Sequence, residues 1–209
     1  ETIEALDLEL FNDHLTKLIS GEKIDVPTFD FKVGTKLYNG EKMNLNDDEI
    51  LVIEGIHSLN DRLTANIPKE NKFKIYISDL TVLNMDYYNR ISTTDTRLIR
   101  RIVRDNNFRG YSALDTLKRW ESVNNGENKN IFPFQEEADA MFNSSLVYEL
   151  AVLSKYAKPL LDEIDNSVPE YAEAKRLSTL LEYFDPIDEK AIPNNSILRE
   201  FIGDSIFEY

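Results

Sequence analysis

Six arginines and only two aspartates lie between Arg90 and Arg109, a window of net charge +4 in a 209-residue chain whose formal net charge is -14. The rest of the chain carries -18, so the fold has to organise this cluster. The stretch TTDTRLIRRIVRD, starting at Thr93, has helical spacing. On a wheel of about 100° per residue, Arg97, Arg100, Arg101 and Arg104 fall within about 100° of one another, and Leu98, Ile99, Ile102 and Val103 lie opposite. A helix of this kind needs one face buried and the other matched by negative charge, because like charges at i,i+3 and i,i+4 each cost a few tenths of a kcal/mol. Two sources of that charge are open. The chain's own 38 acidic side chains can pair with the stripe as a salt-bridged face. Alternatively, a phosphate ligand can meet it, since guanidinium donates two parallel hydrogen bonds and stays charged. Arg109 follows in a loop beside Gly110, the kind of place where mobile lids sit.

Apolar periodicity predicts the surrounding elements. Leu6, Leu10, Phe11, Leu15, Leu18 and Ile19 predict a helix that stops at Gly21, and DVPTFDFKVG predicts an extended segment running into a turn at Gly34. The run Ile50 to Ile53, entered from acids and left through Glu54 and Gly55, reads as a strand buried on both faces of a parallel sheet. Alternation at Phe73, Ile75 and Ile77 predicts a second strand. After the arginine helix, Ser112 and Asp115 form a capping box for a further helix, and NNGENKN reads as a loop. A long helix is expected from about Glu136 to Tyr156 with Pro159 at its end or kink, another from about Pro169 to Phe184, and a short tail with a turn at Gly203. The result is α/β with a mostly parallel sheet and a helix-rich C-terminal half, in which too few strands are visible for a complete doubly wound sheet.

Composition excludes several classes of function. There is no cysteine, so disulfide frameworks and thiolate metal sites are out, which suits a reducing cytosol. The only histidines are His14 and His57, far apart and without metal-ligand spacing. His14 is expected on a solvated helix face and His57 in a capping or loop role. A sequence pI near 4.6 opposes general binding to a phosphate backbone, and no apolar run approaches the length of a membrane span. No G-x-S-x-G elbow and no G-x-x-x-x-G-K-[ST] array occurs. Glu54 is the notable acid. At the carboxyl end of a parallel strand it is placed to hold Mg²⁺ beside nucleotide phosphates, although an acid that merely begins the loop fits the spacing too.

The order of EALDLELFNDHLTKLISGEKIDVPTFDF, ILVIEGIHSLN and DTRLIRRIVRDNNFRG, followed by IFPFQEEADAMFN and SILREFIGDS, resembles the uridine kinase and phosphoribulokinase family. Within it, the chain is similar to a uridine kinase-like branch often fused behind a threonyl-tRNA synthetase-like region. The resemblance implies a P-loop NTPase-like three-layer domain spanning 1–209 as a single domain, incomplete at its N-terminal side. It implies a cytoplasmic enzyme that uses ATP and Mg²⁺ to phosphorylate a small hydroxylated substrate, a nucleoside or sugar. Phe29 and Asp30 in PTFDF would contact base and ribose, and Glu54 would be the metal-associated acid. Arg101 and Arg104 would be lid arginines reaching ATP and substrate phosphates, with Arg109 a further substrate or lid contact.

Departures from the family pattern shape these expectations. The chain starts at Glu1 and is already helical by about Asp7, so the P-loop, the first helix and the strand bearing the catalytic aspartate are expected upstream, and the isolated chain is expected to be inactive. Gly34 and Arg119 stand where a histidine and a glutamine are common, which weighs against uridine as the acceptor. SDLTVLNMDYYNRISTT looks like an insertion, and FQEEAD is more acidic than the related basic stretch. A noncatalytic regulatory or interaction module on a kinase scaffold is therefore the alternative. Self-association through an exposed strand edge remains open.

Overall fold

The structure, a computed structural model, describes residues 2–30 and 34–208. It divides into two compact units, one of residues 1–76 and 126–140, the other of residues 77–125 and 141–209.

In the first unit, helix α1 (Leu8–Ile19) begins where the Asp7 carboxylate accepts a 3.0 Å hydrogen bond from the Leu10 amide. That contact satisfies one of the amides a helix start leaves unpaired. Leu15 and Leu18 are buried, as are Ile3, Ile24, Leu63 and Ile67. The buried Asn12 amide ties α1 to the turn that follows, donating to the Leu63 carbonyl at 3.1 Å and accepting from the Asn66 amide at 3.1 Å. Strands β1 (Ile24–Asp30) and β2 (Thr35–Met43) pair antiparallel, with Asp30 opposite Thr35 and Ile24 opposite Met43. The register shifts between Asp25 and Pro27, across from Gly40, whose φ of 80° supplies the irregularity. Lys36 of β2 pairs with Asp7, joining the hairpin to the start of α1. The Gly34 amide donates to the Asp30 carbonyl at 2.8 Å, closing the expected turn. Phe31, Lys32 and Val33 of the expected extended segment lie outside the described residues. Strand β2 was not foreseen, because all nine of its residues are exposed and its polar sequence carries no alternation.

The expectation of a buried strand at Ile50 to Ile53 is corrected. These residues form no ladder, and Ile50 and Val52 are 89% and 84% exposed. An apolar run becomes a doubly buried strand only when neighbours cover both faces, and none do so here among the described residues.

Strands β3 (Ile75–Ser78) and β4 (Ala140–Asn143) form a second, parallel pair. The Ala140 amide donates to the Lys74 carbonyl at 3.2 Å and the Ser144 amide to the Ser78 carbonyl at 2.9 Å. The expected strand forms, but its alternating apolar residues Phe73, Ile75 and Ile77 are exposed and Tyr76 is buried. Strand β4 also replaces the first part of the helix expected from Glu136. Ala138, Met141 and Phe142 fit a helical period, but Asp139 and Asn143 bridge to backbone groups of Lys74 and Leu80 at 2.8 to 3.0 Å and hold the segment extended.

The second unit is helical. Helix α2 (Thr93–Arg104) runs into a π-turn, Asp105–Arg109, that ends at Gly110 with φ 69°. Helix α3 (Ala113–Asn130) starts with the expected capping box: Ser112 Oγ donates to Asp115 Oδ2 at 2.6 Å and accepts from the Asp115 amide at 3.1 Å. It continues through NNGENKN, which is helix rather than loop, and its end from Gly126 onward belongs to the first unit. Helix α4 (Glu149–Asp162) passes through Pro159 instead of ending there, and is followed by α5 (Tyr171–Leu181) and α6 (Arg199–Ile202). Leu98, Ile99, Ile102, Leu153, Leu177 and Leu198 are fully buried in one continuous core with no exposed surface left. The Arg199 guanidinium reaches the carbonyls of Glu189, Ile192, Pro193 and Gly203 at 2.6 to 3.4 Å.

The molecule is thus mixed α/β, with six α-helices and two small sheets among the described residues. No described helix is long and apolar enough to cross a membrane.

Candidate functional site

The apolar stripe of α2 is buried as the wheel requires, but Arg100 parts from Arg101 and Arg104. Arg100 is only 7% exposed and does not belong to the cationic face. Its Nε donates to Glu149 Oε2 at 2.6 Å and a terminal nitrogen donates to the Ser144 carbonyl at 3.1 Å. Asp79 Oδ2 lies 3.5 Å from the same Nε and makes no hydrogen bond. Two buried carboxylates therefore share one guanidinium. Burial pushes the Glu149 carboxyl above its ordinary range, against the pull of Arg100 and with the help of Asp79.

Arg101 and Arg104 gather instead on Asp105, the first residue of the π-turn and itself buried. Arg101 Nε lies 3.3 Å from Asp105 Oδ2, Arg109 donates to Oδ1 at 3.1 Å, and Arg104 Nε stands 4.0 Å from Oδ1. Thr116 of α3 holds the same carboxylate at 3.4 Å. Arg104 also donates to Glu200 of α6 at 3.0 Å, while its buried Nε makes no hydrogen bond. Three guanidiniums thus meet two carboxylates, which leaves a local excess of one positive charge in a strongly acidic chain. The side chains of Arg101, Arg104 and Arg109 keep 24%, 28% and 47% of their surface. Nearby in sequence, the Arg119 guanidinium stacks 4.3 Å from the centre of the Tyr111 ring.

The remaining candidates lie in the first unit. Phe29 and Asp30 sit at the tip of the β1–β2 hairpin, opposite Lys36 and Thr35, with Phe29 about half exposed. Glu54 is exposed, precedes Gly55 with φ 152°, and carries no ion-pair partner among the described residues. His57 is buried with Nδ1 unpartnered. His14, expected on a solvated face, is half-buried and lines an open groove of about 780 Å³ with Leu10, Lys17, Lys23 and Tyr38.

The structure therefore joins Arg101, Arg104 and Arg109 into one cluster, and Phe29 and Asp30 into another. Sequence reasoning missed Asp105 as the hub, although its spacing of four from both Arg101 and Arg109 was a usable signal. Glu200 and Glu149 come from distant segments, and no local pattern points to them.

The model of the phosphoribulokinase / uridine kinase family matches residues 1–151. A uridine kinase of Bacillus pumilus is 29% identical over 119 residues, covering 57% of this chain and 48% of that protein. Uridine-cytidine kinase B of Dictyostelium discoideum is 29% identical over 139 residues, covering 66% and 50%. A uridine kinase of Clostridium perfringens is also 29% identical, with 57% and 49% covered. The chain spans about half the length of these curated relatives.

Proposed function

Since the chain belongs to the phosphoribulokinase / uridine kinase family, we propose that it takes part in transfer of the γ-phosphoryl group of ATP to a hydroxyl of a nucleoside or sugar, supplying acceptor contacts and a lid. The observation that carries this reading is the cationic excess on α2 and its π-turn, where Arg101, Arg104 and Arg109 converge on Asp105 yet stay partly exposed. Phosphoryl transfer asks a protein mainly for positioning and charge neutralisation, and guanidiniums oriented by a buried carboxylate supply both.

In this reading Arg101 and Arg104 meet ATP and substrate phosphates, and Arg109 closes over the substrate. Phe29 offers its half-exposed ring to a base or sugar, and Asp30 accepts from a sugar hydroxyl. Glu54 associates with Mg²⁺. No group of three or more potential ligands gathers among the described residues, so a metal would need phosphate oxygens to complete its shell. That fits Mg²⁺, which commonly takes one or two carboxylates together with substrate phosphates and water. The sequence holds no phosphate-cradling G-x-x-x-x-G-K-[ST] loop, so residues 1–209 alone should not turn over ATP. The three-layer P-loop architecture and a cytoplasmic location belong to the same proposal.

The test is ATP turnover by the full-length protein across a broad panel of nucleosides and sugars. Arg104→Ala should lower kcat/KM about 100-fold while the melting temperature stays near wild type. No turnover with any acceptor would count against the reading.

A noncatalytic module is favoured by one specific observation: Arg101, Arg104 and Arg109 are already paired with the chain's own carboxylates. Nucleotide binding by the full-length protein without any phosphoryl transfer would support that alternative.

A further inference from the structure

Helix α6 lies outside the part of the chain that the family model matches, yet it contacts the arginine segment at several points. Glu200 accepts from Arg104, the Phe201 carbonyl accepts from Asn107 Nδ2 at 2.9 Å, and the Phe201 ring lies 5.4 Å from the Arg100 guanidinium carbon. Next along the chain, Gly203 approaches the Phe108 ring closely enough that an added methyl would come within 3.9 Å of it. The C-terminal segment therefore packs along the end of α2 and its π-turn.

Arg104 is the arginine with the most to gain from a ligand. Its Nε is buried without a hydrogen bond, Asp105 is 4.0 Å away, and its one close acceptor among the described residues is Glu200. Arg101 and Arg109 lie nearer Asp105, at 3.3 and 3.1 Å. A carboxylate presented to a guanidinium at 3.0 Å occupies the donors a phosphate oxygen would use. We propose that Glu200 is a resident competitor that occupies Arg104 in the empty protein and yields it to an anionic phosphoryl group, so that the hold of α6 on the arginine segment loosens as the site fills. This inference rests on the phosphate reading of the cluster. It adds that the C-terminal segment senses occupancy, while Asp105 keeps the other two arginines in place.

The experiment titrates inorganic pyrophosphate into the full-length protein by calorimetry at fixed ionic strength, for wild type, Glu200→Gln and Arg104→Ala. A second measurement follows amide hydrogen exchange of residues 199–203 with and without pyrophosphate. Glu200→Gln should bind about two- to five-fold more tightly than wild type, the range set by losing one partly exposed ion pair. Exchange at 199–203 should rise on binding in wild type, and should already be raised in unliganded Glu200→Gln. Weaker or unchanged binding in Glu200→Gln, with exchange at 199–203 unmoved by pyrophosphate, overturns the inference. If Arg104→Ala binds pyrophosphate as well as wild type, the phosphate reading itself fails. If Arg104→Ala loses binding but Glu200→Gln gains none, only the role given to Glu200 falls.

Discussion

Arg100 shows how much depends on where one guanidinium points. It neutralises Glu149 and stands beside Asp79 in the interior, so its removal would leave two buried carboxylates facing each other. Arg100→Ala should destabilise the protein by about 3 to 5 kcal/mol in denaturant unfolding, the usual cost of stranding buried charge. Glu149 gives the site a pH signature. Its carboxyl is raised in the folded state, so the folded protein holds that proton more tightly than the unfolded chain does. The stability it contributes is present below the ordinary glutamate range and declines as pH rises through the raised value. Unfolding free energies of wild type and Glu149→Gln, compared from about pH 4 to 7, should diverge with pH in that direction. Surface acids such as Asp61 and Asp162, held low by lysine partners, contribute the opposite slope on the acid side; they are common to both proteins and cancel in the comparison.

Among the elements, the start of α3 offers the cleanest test, because its capping box is local and exposed. Ser112→Ala should cost about 1 kcal/mol in thermal or denaturant unfolding. Deep in the core, Ile102→Ala should cost about 2 to 5 kcal/mol, since its side chain is fully buried and leaves a cavity. These two sites also mark what the sequence made legible. Helices α1 and α3 were readable because apolar spacing and a cap lie within a few residues of one another, whereas α2 and α5 were readable from their apolar spacing without a side-chain cap. The Ile50–Ile53 run was misread because burial is decided by neighbours that no local window contains. Strand β4 was mistaken for helix because Ala138, Met141 and Phe142 satisfy a helical period, while the deciding bonds run to Lys74 and Leu80, far away in sequence. The arginine cluster follows the same rule: its members were plain in the sequence, but Glu200, which lies 96 positions from Arg104, was not.

At the level of the whole molecule, each unit carries apolar side chains in contact with water. Ile50 and Val52 in the first unit, and Ile77 and Phe142 in the second, are all more than half exposed. Exposed apolar surface of this kind favours association, which the high net negative charge opposes through mutual repulsion. The 209-residue chain should therefore associate more strongly as salt screens that repulsion, and a double substitution of Ile50 and Val52 by lysine should reduce the effect in sedimentation velocity. The hub formed by Arg199 bears on how the tail can vary. One flat cation serves as the common wall for carbonyls on both sides of it in sequence, so the loop around Ile192 and the turn at Gly203 are shaped together. Lysine at that position keeps the charge but concentrates its donors on a single nitrogen, which cannot fan out to four oxygens. Loop and turn would then lose their definition in the same step, and changes to either should be tolerated only when they suit the other.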